Sequence, residues 1–333
     1  MTPQIRPHVT AQEAIADRVR LLVVVQSLDI GGTEKHLLWV LPRLIDRGFD
    51  VTVFAAFRGG DLVPAFADAG VPVVVAARAV ESRRSSFAQA WHWFRTLLRL
   101  MRTISRERPD IVHCFLTGAY VLGVPAAVLA GARNRVVSRR NLNGYQTKRP
   151  GLYAVERRLH RYVSLFLGNS HAVAQQLTEE GIDPDRVRVL PNGISIPAGR
   201  AAVSSTTRTD LGLTAHQVVM IIVANLSPYK GHLDLLDAVA KLTAANVPDW
   251  QLLCVGKDYG VQGDLVTQVE KLGIASHVRF LGSRDDVPDL LGAADIGVAP
   301  SHEEGFSNAI LEGHGGVTAD GRHRRWRQLR GSH

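Results

Sequence analysis

The chain has 333 residues, 46% hydrophobic and 21% charged, with a net charge of +8. That composition excludes a disordered polymer or a fibrous repeat, and the length suits two ordinary domains. Two cysteines, Cys114 and Cys254, exclude a disulfide scaffold; each sits in or beside an apolar, strand-like run and reads as a buried reduced thiol. No apolar run reaches the roughly 20 residues a bilayer span needs. Residues 1–18 are polar and mixed in charge, and are expected to be disordered rather than a signal peptide. A cytoplasmic protein is expected. The positive excess calls for an anionic partner such as phosphate or acidic lipid. No zinc spacing or aromatic–basic ladder supports nucleic acid.

Short apolar runs alternate with helical patterns. "RLLVVVQS" (20–27), "DVTVFAA" (50–56), "VPVVVAA" (71–77), "DIVHCF" (110–115), "NRVVSRR" (134–140) and "LFLGNS" (165–170) read as buried strands. That rhythm predicts an α/β fold with a parallel sheet covered on both faces. Between the third and fourth strands, "FAQAWHWFRTLLRLMRTISRERPD" (87–110) is a long helix. It places Phe87, Trp91, Phe94, Leu98 and Met101 on one face, with Arg95, Arg99, Arg102 and Arg106 as a stripe beside it. Two readings stand: a covering helix with a solvated basic edge, or a peripheral surface for anionic lipid at the inner face of the membrane.

Residues 196–209 lack any period and read as a linker between a domain at 19–195 and a second at 210–312. The rhythm then restarts with "VVMIIVAN" (218–225), "WQLLCVG" (250–256), "HVRFLG" (277–282) and "DIGVAP" (295–300). Ligands of such sheets bind outside the carboxyl ends of the strands, so the crevice between two such domains is the expected site.

Three stretches carry chemistry. Gly31 and Gly32 follow the first strand and open a helix, where backbone N–H groups favour phosphate; Glu34 reads either as part of that site or as a first-turn acid favoured by the helix dipole. Lys230, in "ANLSPYKGH", lies past the first strand of the second unit at a glycine turn, where a cation neutralises a departing diphosphate. In "EEGFSNAILE", Glu304 and Glu312 are eight residues apart, which on one helix puts both carboxylates on one face.

The order GGxE, PNGI, K-G and DIGVAPSxxEGFxNxxLE resembles the retaining GT-B glycosyltransferases of the E-x7-E group, over roughly residues 20–312. The resemblance implies transfer of a sugar from a nucleotide diphosphate-sugar to a saccharide or lipid-linked acceptor, with retention at the anomeric carbon. It implies a place in cell-surface polysaccharide assembly and no metal or other cofactor. It gives Lys230 the diphosphate, Glu304 the donor sugar and Glu312 the nucleotide ribose. Gly31, Gly32, Asn225, Gly305 and Phe306 fall at donor-binding positions, and His113, Arg139 and Arg140 on the acceptor side. "LPNGI" (190–194) matches the hinge between domains. The chain departs from the pattern at Asn225, where an arginine is frequent, and at Phe115, where a second histidine is frequent. A sugar-nucleotide epimerase and a non-catalytic nucleotide-binding fragment are the rival readings.

After Glu312 the run "GHGGVTADGRHRRWRQLRGSH" has no apolar period, and residues 322–330 hold five arginines. Shifting the reading frame by one base permits the glycine-rich strand and turn that the family carries there. The expectation is a frameshift near codon 313, a disordered tail over 313–333, an exposed edge on strand 295–300 and an impaired transferase.

Overall fold

The structure is a computed structural model that describes residues 18–76, 86–142, 150–193, 204–245, 247, 249–302, 305, 307–314 and 325–328. The chain divides into two compact units, Met1–Gly193 and Ile194–His333.

In the first unit seven strands form one parallel sheet: β1 (Val19–Val25), β2 (Phe49–Ala55), β3 (Val73–Val75), β4 (Ile111–Phe115), β5 (Asn134–Arg139), β6 (Leu165–Gly168) and β7 (Val187–Val189). Their spatial order is β3-β2-β1-β4-β5-β6-β7. Helices α1 (Gly32–Ile45), α2 (Val63–Asp68), α3 (Ser86–Glu107), α4 (Leu116–Leu129), α5 (Pro150–Leu159) and α6 (His171–Glu179) are the crossovers. Alternate residues of β1 serve opposite faces, as the strand period requires. Leu21, Val23 and Val25 join the core under α1 and α2, while Leu22 and Val24 join the one built with α3 and α4. Strand β7 was not foreseen; its three residues are too short to show a period.

Between β5 and α6 a charge pair is fully enclosed. Arg139, 5% exposed, donates to Glu180, whose second oxygen lies 3.8 Å from His160 Nε2. Burial pushes His160 down to about 4, so it is neutral at pH 7. Arg139 is therefore not a surface residue.

In α3 the covering face is Thr96, Leu100 and Ile104, all buried, with Leu97 and Met101 packed against the same core. Of the apolar face read from the sequence, only Met101 packs inward. Phe87, Trp91 and Phe94 remain outside, at 80%, 53% and 48% exposure. The helix thus has two apolar sides, which a single-period reading merges.

The second unit is a parallel sheet of five strands in the order β10-β9-β8-β11-β12. They are β8 (Val218–Val223), β9 (Trp250–Val255), β10 (Val278–Gly282), β11 (Ile296–Ala299) and β12 (Arg325–Gln328). Its helices are α7 (Ser204–Asp210), α8 (His232–Ala244), α9 (Gln262–Lys271), α10 (Val287–Ala293) and α11 (Asn308–His314). Two expectations are corrected here. Of the run 196–209 read as linker, 196–203 lie outside the described residues and 204–209 belong to α7. Arg208 fixes this helix by donating to the carbonyls of Ala293, Thr214 and Gln217 and to Asp295, contacts that override a weak Ser/Thr propensity. The tail is not featureless either: β12 pairs in parallel register on β11, Ile296 against Arg325 through Ala299 against Gln328, and covers the edge expected to be bare. Among the described residues no helix is long and apolar enough to cross a membrane. Cys114 and Cys254 are both buried and free, and burial pushes each thiol up to about 12.

Removing one partner of the enclosed pair strands the other charge, so Arg139→Met should destabilise the first unit by about 3–5 kcal/mol. Adding Glu180→Leu should restore much of that loss. Urea unfolding of the two variants measures both effects.

Candidate active site

Strand order reverses between β1 and β4 in the first sheet and between β8 and β11 in the second. At such a point the connections leave in opposite directions and open a crevice at the carboxyl ends. The sequence-derived residues divide between these two points.

In the second unit the loop after β8 is a 3-10 turn, Pro228–Lys230, that ends on Gly231 at φ +71. Glycine adopts this left-handed conformation without strain. A Cβ there would also lie 2.2 Å from the carbonyl oxygen of Pro300, just past β11. The two loops are joined further by His302, whose N–H donates to the Tyr229 carbonyl at 2.9 Å and whose Nε2 lies 2.8 Å from Asp234. Lys230 is half-buried, with Nζ 5.2 Å from the centre of the Tyr229 ring. The loop bearing Lys230 and the start of the acidic motif are therefore brought together. Asn225 acts as a brace: its side-chain oxygen accepts from the Lys257 N–H at 3.1 Å.

The acidic pair needs a correction. Helix α11 begins at Asn308, and Gly305 and Ser307 are not helical. Ser307 supplies the carbonyl that accepts from Leu311, as an N-cap residue does. Glu304 thus precedes the helix that carries Glu312, and the two do not share two turns of one helix. Glu304 and Phe306 lie outside the described residues, as does the Glu312 side chain. His232 was missed as a candidate. It lies two residues after Lys230, is 4% exposed, and burial aided by the Lys230 charge lowers it to about 4.

In the first unit a cavity of about 330 Å³ opens beside α1, with His36, His113, Ser138, Arg139, Arg140 and Asn169 among its lining residues. His113 Nε2 lies 2.8 Å from Ser138 Oγ, and its ring rests 4.2 Å from that of Phe115. The phenylalanine that replaces a frequent histidine therefore packs, tilted, against the histidine that remains. Burial, with the Arg140 charge, lowers His113 to about 3. Arg140 donates to Asn192 and is itself lowered to about 10 by burial. His36 Nδ1 donates to the Gly193 carbonyl at 3.3 Å, which assigns the proton of the neutral ring to Nδ1. Burial lowers His36 to about 4.

Gly31 has an extended backbone, so its use is space rather than φ: a Cβ there would meet Glu34 Oε2 at 2.4 Å. The carboxylate folds back over the start of α1, the place the sequence marks for phosphate. Burial raises Glu34, and its own N–H and Arg140 oppose that rise. Glu34, His36, Arg140, Asn192 and Gly193 thus form one polar cluster that fastens the end of the first unit to α1. The sequence marked Glu34, Arg140 and the "LPNGI" run but not His36, whose contact to Gly193 spans 157 positions.

Residues 30–196 match the family described as Glycosyltransferase Family 4, and residues 217–314 match Glycosyl transferases group 1. A UDP-Gal:alpha-D-GlcNAc-diphosphoundecaprenol alpha-1,3-galactosyltransferase of Escherichia coli is 28% identical over 227 residues, covering 66% of this chain. The chain spans 58% of that relative's length. A D-inositol 3-phosphate glycosyltransferase of Thermobispora bispora is 27% identical over 310 residues, 85% of this chain and 72% of the relative. Among solved structures, Anabaena Alr3699/HepE in complex with UDP and glucose aligns with a TM-score of 0.76 at 25% identity, over 90% of this chain and 78% of that one.

The neutral histidines give the first unit a pH dependence. In the unfolded chain His36, His113 and His160 protonate as pH falls through about 6.5. In the fold they stay neutral down to about 4, about 3 and about 4. Stability is therefore fully present above the unfolded value and is lost as pH falls, by about 1.4 kcal/mol per pH unit for each histidine near pH 5. Urea midpoints of the first unit should drop between pH 7 and 5, and His113→Gln should flatten that slope.

Proposed function

The chain belongs to the glycosyltransferase family whose two models it matches, Glycosyltransferase Family 4 and Glycosyl transferases group 1; on that premise we propose that it moves a hexose from a UDP-sugar to a lipid-linked or saccharide acceptor, with retention at the anomeric carbon. The observation that carries the reading is the join of the Lys230 loop to the loop after β11 at the reversal point of the second sheet. Support for a UDP-sugar comes from the structural relative in complex with UDP and glucose. Support for a lipid-linked acceptor comes from the relative named for a diphosphoundecaprenol substrate.

In the proposed reaction the bond between the anomeric carbon and the diphosphate oxygen breaks. The acceptor hydroxyl oxygen bonds to that carbon on the same face, and its proton passes to the departing diphosphate. The second unit holds the donor. Lys230 and nearby backbone N–H groups stabilise the growing negative charge, which is the largest lever available to such a site. Glu304 would receive hydroxyls of the sugar and Glu312 those of the ribose, with Gly305 and Phe306 between them. In the first unit His113, Ser138 and Arg140 would receive the acceptor. Arg139, spent on Glu180, would act by holding Arg140's neighbourhood in shape. No metal ion is proposed in the reaction, since the lysine supplies the positive charge. The enzyme would work at the cytoplasmic face of the membrane in cell-surface polysaccharide assembly, touching lipid through Arg95, Arg99, Arg102 and Arg106.

The test is transfer from labelled UDP-glucose or UDP-galactose to an undecaprenyl diphosphate-linked GlcNAc, with the product's anomeric configuration read by NMR. A retained α-linkage and turnover unchanged by EDTA are expected. Lys230→Ala should lower kcat by about 100-fold or more. A changed sugar nucleotide released without any acceptor would overturn the reading in favour of epimerisation.

A further inference from the structure

We propose that Phe87, Trp91 and Phe94 of α3 form a wedge that enters the interface of an anionic lipid surface, with Arg95, Arg102 and Arg106 gripping the headgroups. This rests on the proposed membrane contact and deepens it by naming the inserted residues and revising the basic set.

At 100° per residue, Phe87, Trp91 and Phe94 fall within one narrow arc, on the opposite side of the helix from Leu100. Leu100 and Ile104 already occupy the core. Among the described residues the aromatic arc joins neither core of the first unit, and Trp91 and Phe94 lie near each other, with ring centres 5.7 Å apart. Exposed apolar area concentrated on one helix marks a contact surface. Arg95, Arg102 and Arg106 follow on the flank of the arc, all exposed, and among the described residues none pairs with a carboxylate. Arg99 is different: it donates to the Ala76 carbonyl at 2.7 Å and ties the helix to the end of β3.

Charge decides between partners. From Ser86 to Glu107 the helix carries four arginines and one acid, Glu107 at its last position. A second copy docking by the same face would set arginine stripe against arginine stripe. An anionic bilayer instead complements both features, since aromatic rings favour the headgroup level and each nearby arginine adds attraction.

Position adds a further reason. A crossover helix in a parallel sheet runs antiparallel to the strands, so the start of α3 lies at their carboxyl edge. Two contacts fix it there: Trp93 packs on Phe57, just past β2, at 4.7 Å between ring centres, and Arg99 reaches Ala76, just past β3. The wedge and the cluster of His36, His113 and Arg140 therefore share one edge of the first sheet. A lipid-anchored acceptor would be presented on the side where its sugar is to be received.

The experiment is sedimentation of the full chain with vesicles of phosphatidylcholine alone or of phosphatidylcholine mixed with phosphatidylglycerol, without any sugar nucleotide. Binding only to the anionic vesicles is expected. Trp91→Ser with Phe94→Ser should weaken it by about tenfold or more, and so should Arg95→Glu with Arg102→Glu. Leu129→Ser, an exposed apolar residue of α4, should leave it unchanged. Interfacially brominated lipid should quench tryptophan emission in the wild type, and Trp91→Phe should lose most of that quenching. Equal binding to both vesicle types, wild-type binding by either double variant, or self-association without lipid that the same variants abolish would overturn the proposal. Transfer to a water-soluble acceptor, measured without vesicles, is read separately. Failure of transfer with intact vesicle binding counts against the proposed reaction, and failure of binding with intact transfer counts against the wedge.

Discussion

Parallel pairing is the constraint on which everything else depends. When all strands of a sheet run one way, every connection must leave from a carboxyl end and return outside the sheet. Most such connections pack tightly on their neighbours. Only where the order reverses do two of them part, and the chain has one reversal in each sheet. Lys230 follows one of the two parting strands of the second sheet, and Pro300 follows the other. In the first, Gly31 follows one parting strand and Phe115 ends the other. The chemistry-bearing residues are therefore collected by topology before any side-chain contact is considered, and the fit of Gly231 against Pro300 then locks one pair of loops.

The electrostatics of the first unit follow from what this arrangement encloses. Arg139 and Arg140 are adjacent in sequence but differ in use. The first is neutralised by Glu180, and the second is held by Asn192 while its charge acts on Glu34, His36 and His113. Burial, aided by that cation, disfavours protonation of His36 and His113, so both are neutral at physiological pH. Neutral imidazoles accept and donate hydrogen bonds without adding charge, which suits a site for sugar hydroxyls.

The alternation of strands and helices was legible because each apolar run is short and bounded by glycine or polar turns, and the Lys230 and Gly231 turn because its residue types are dictated locally. What the sequence hid was long-range or two-sided. The partner of Arg139 is 41 positions away. Residues 204–209 look like linker by composition, and the four acceptors of Arg208 help to hold them as a helix. The eight-residue spacing of Glu304 and Glu312 suggested one helix, but Gly305 and the capping role of Ser307 delay the helix to Asn308. In α3 the buried stripe and the exposed aromatic arc both have helical period, so periodicity alone could not say which faces the core.

The tie from Arg99 to the Ala76 carbonyl opposes rolling of α3 about its own axis. A helix so pinned would hold its sheet in one attitude wherever the aromatic side came to rest. On a bilayer, tumbling would be reduced to sliding in a plane, and the search for an anchored substrate would fall from three dimensions to two.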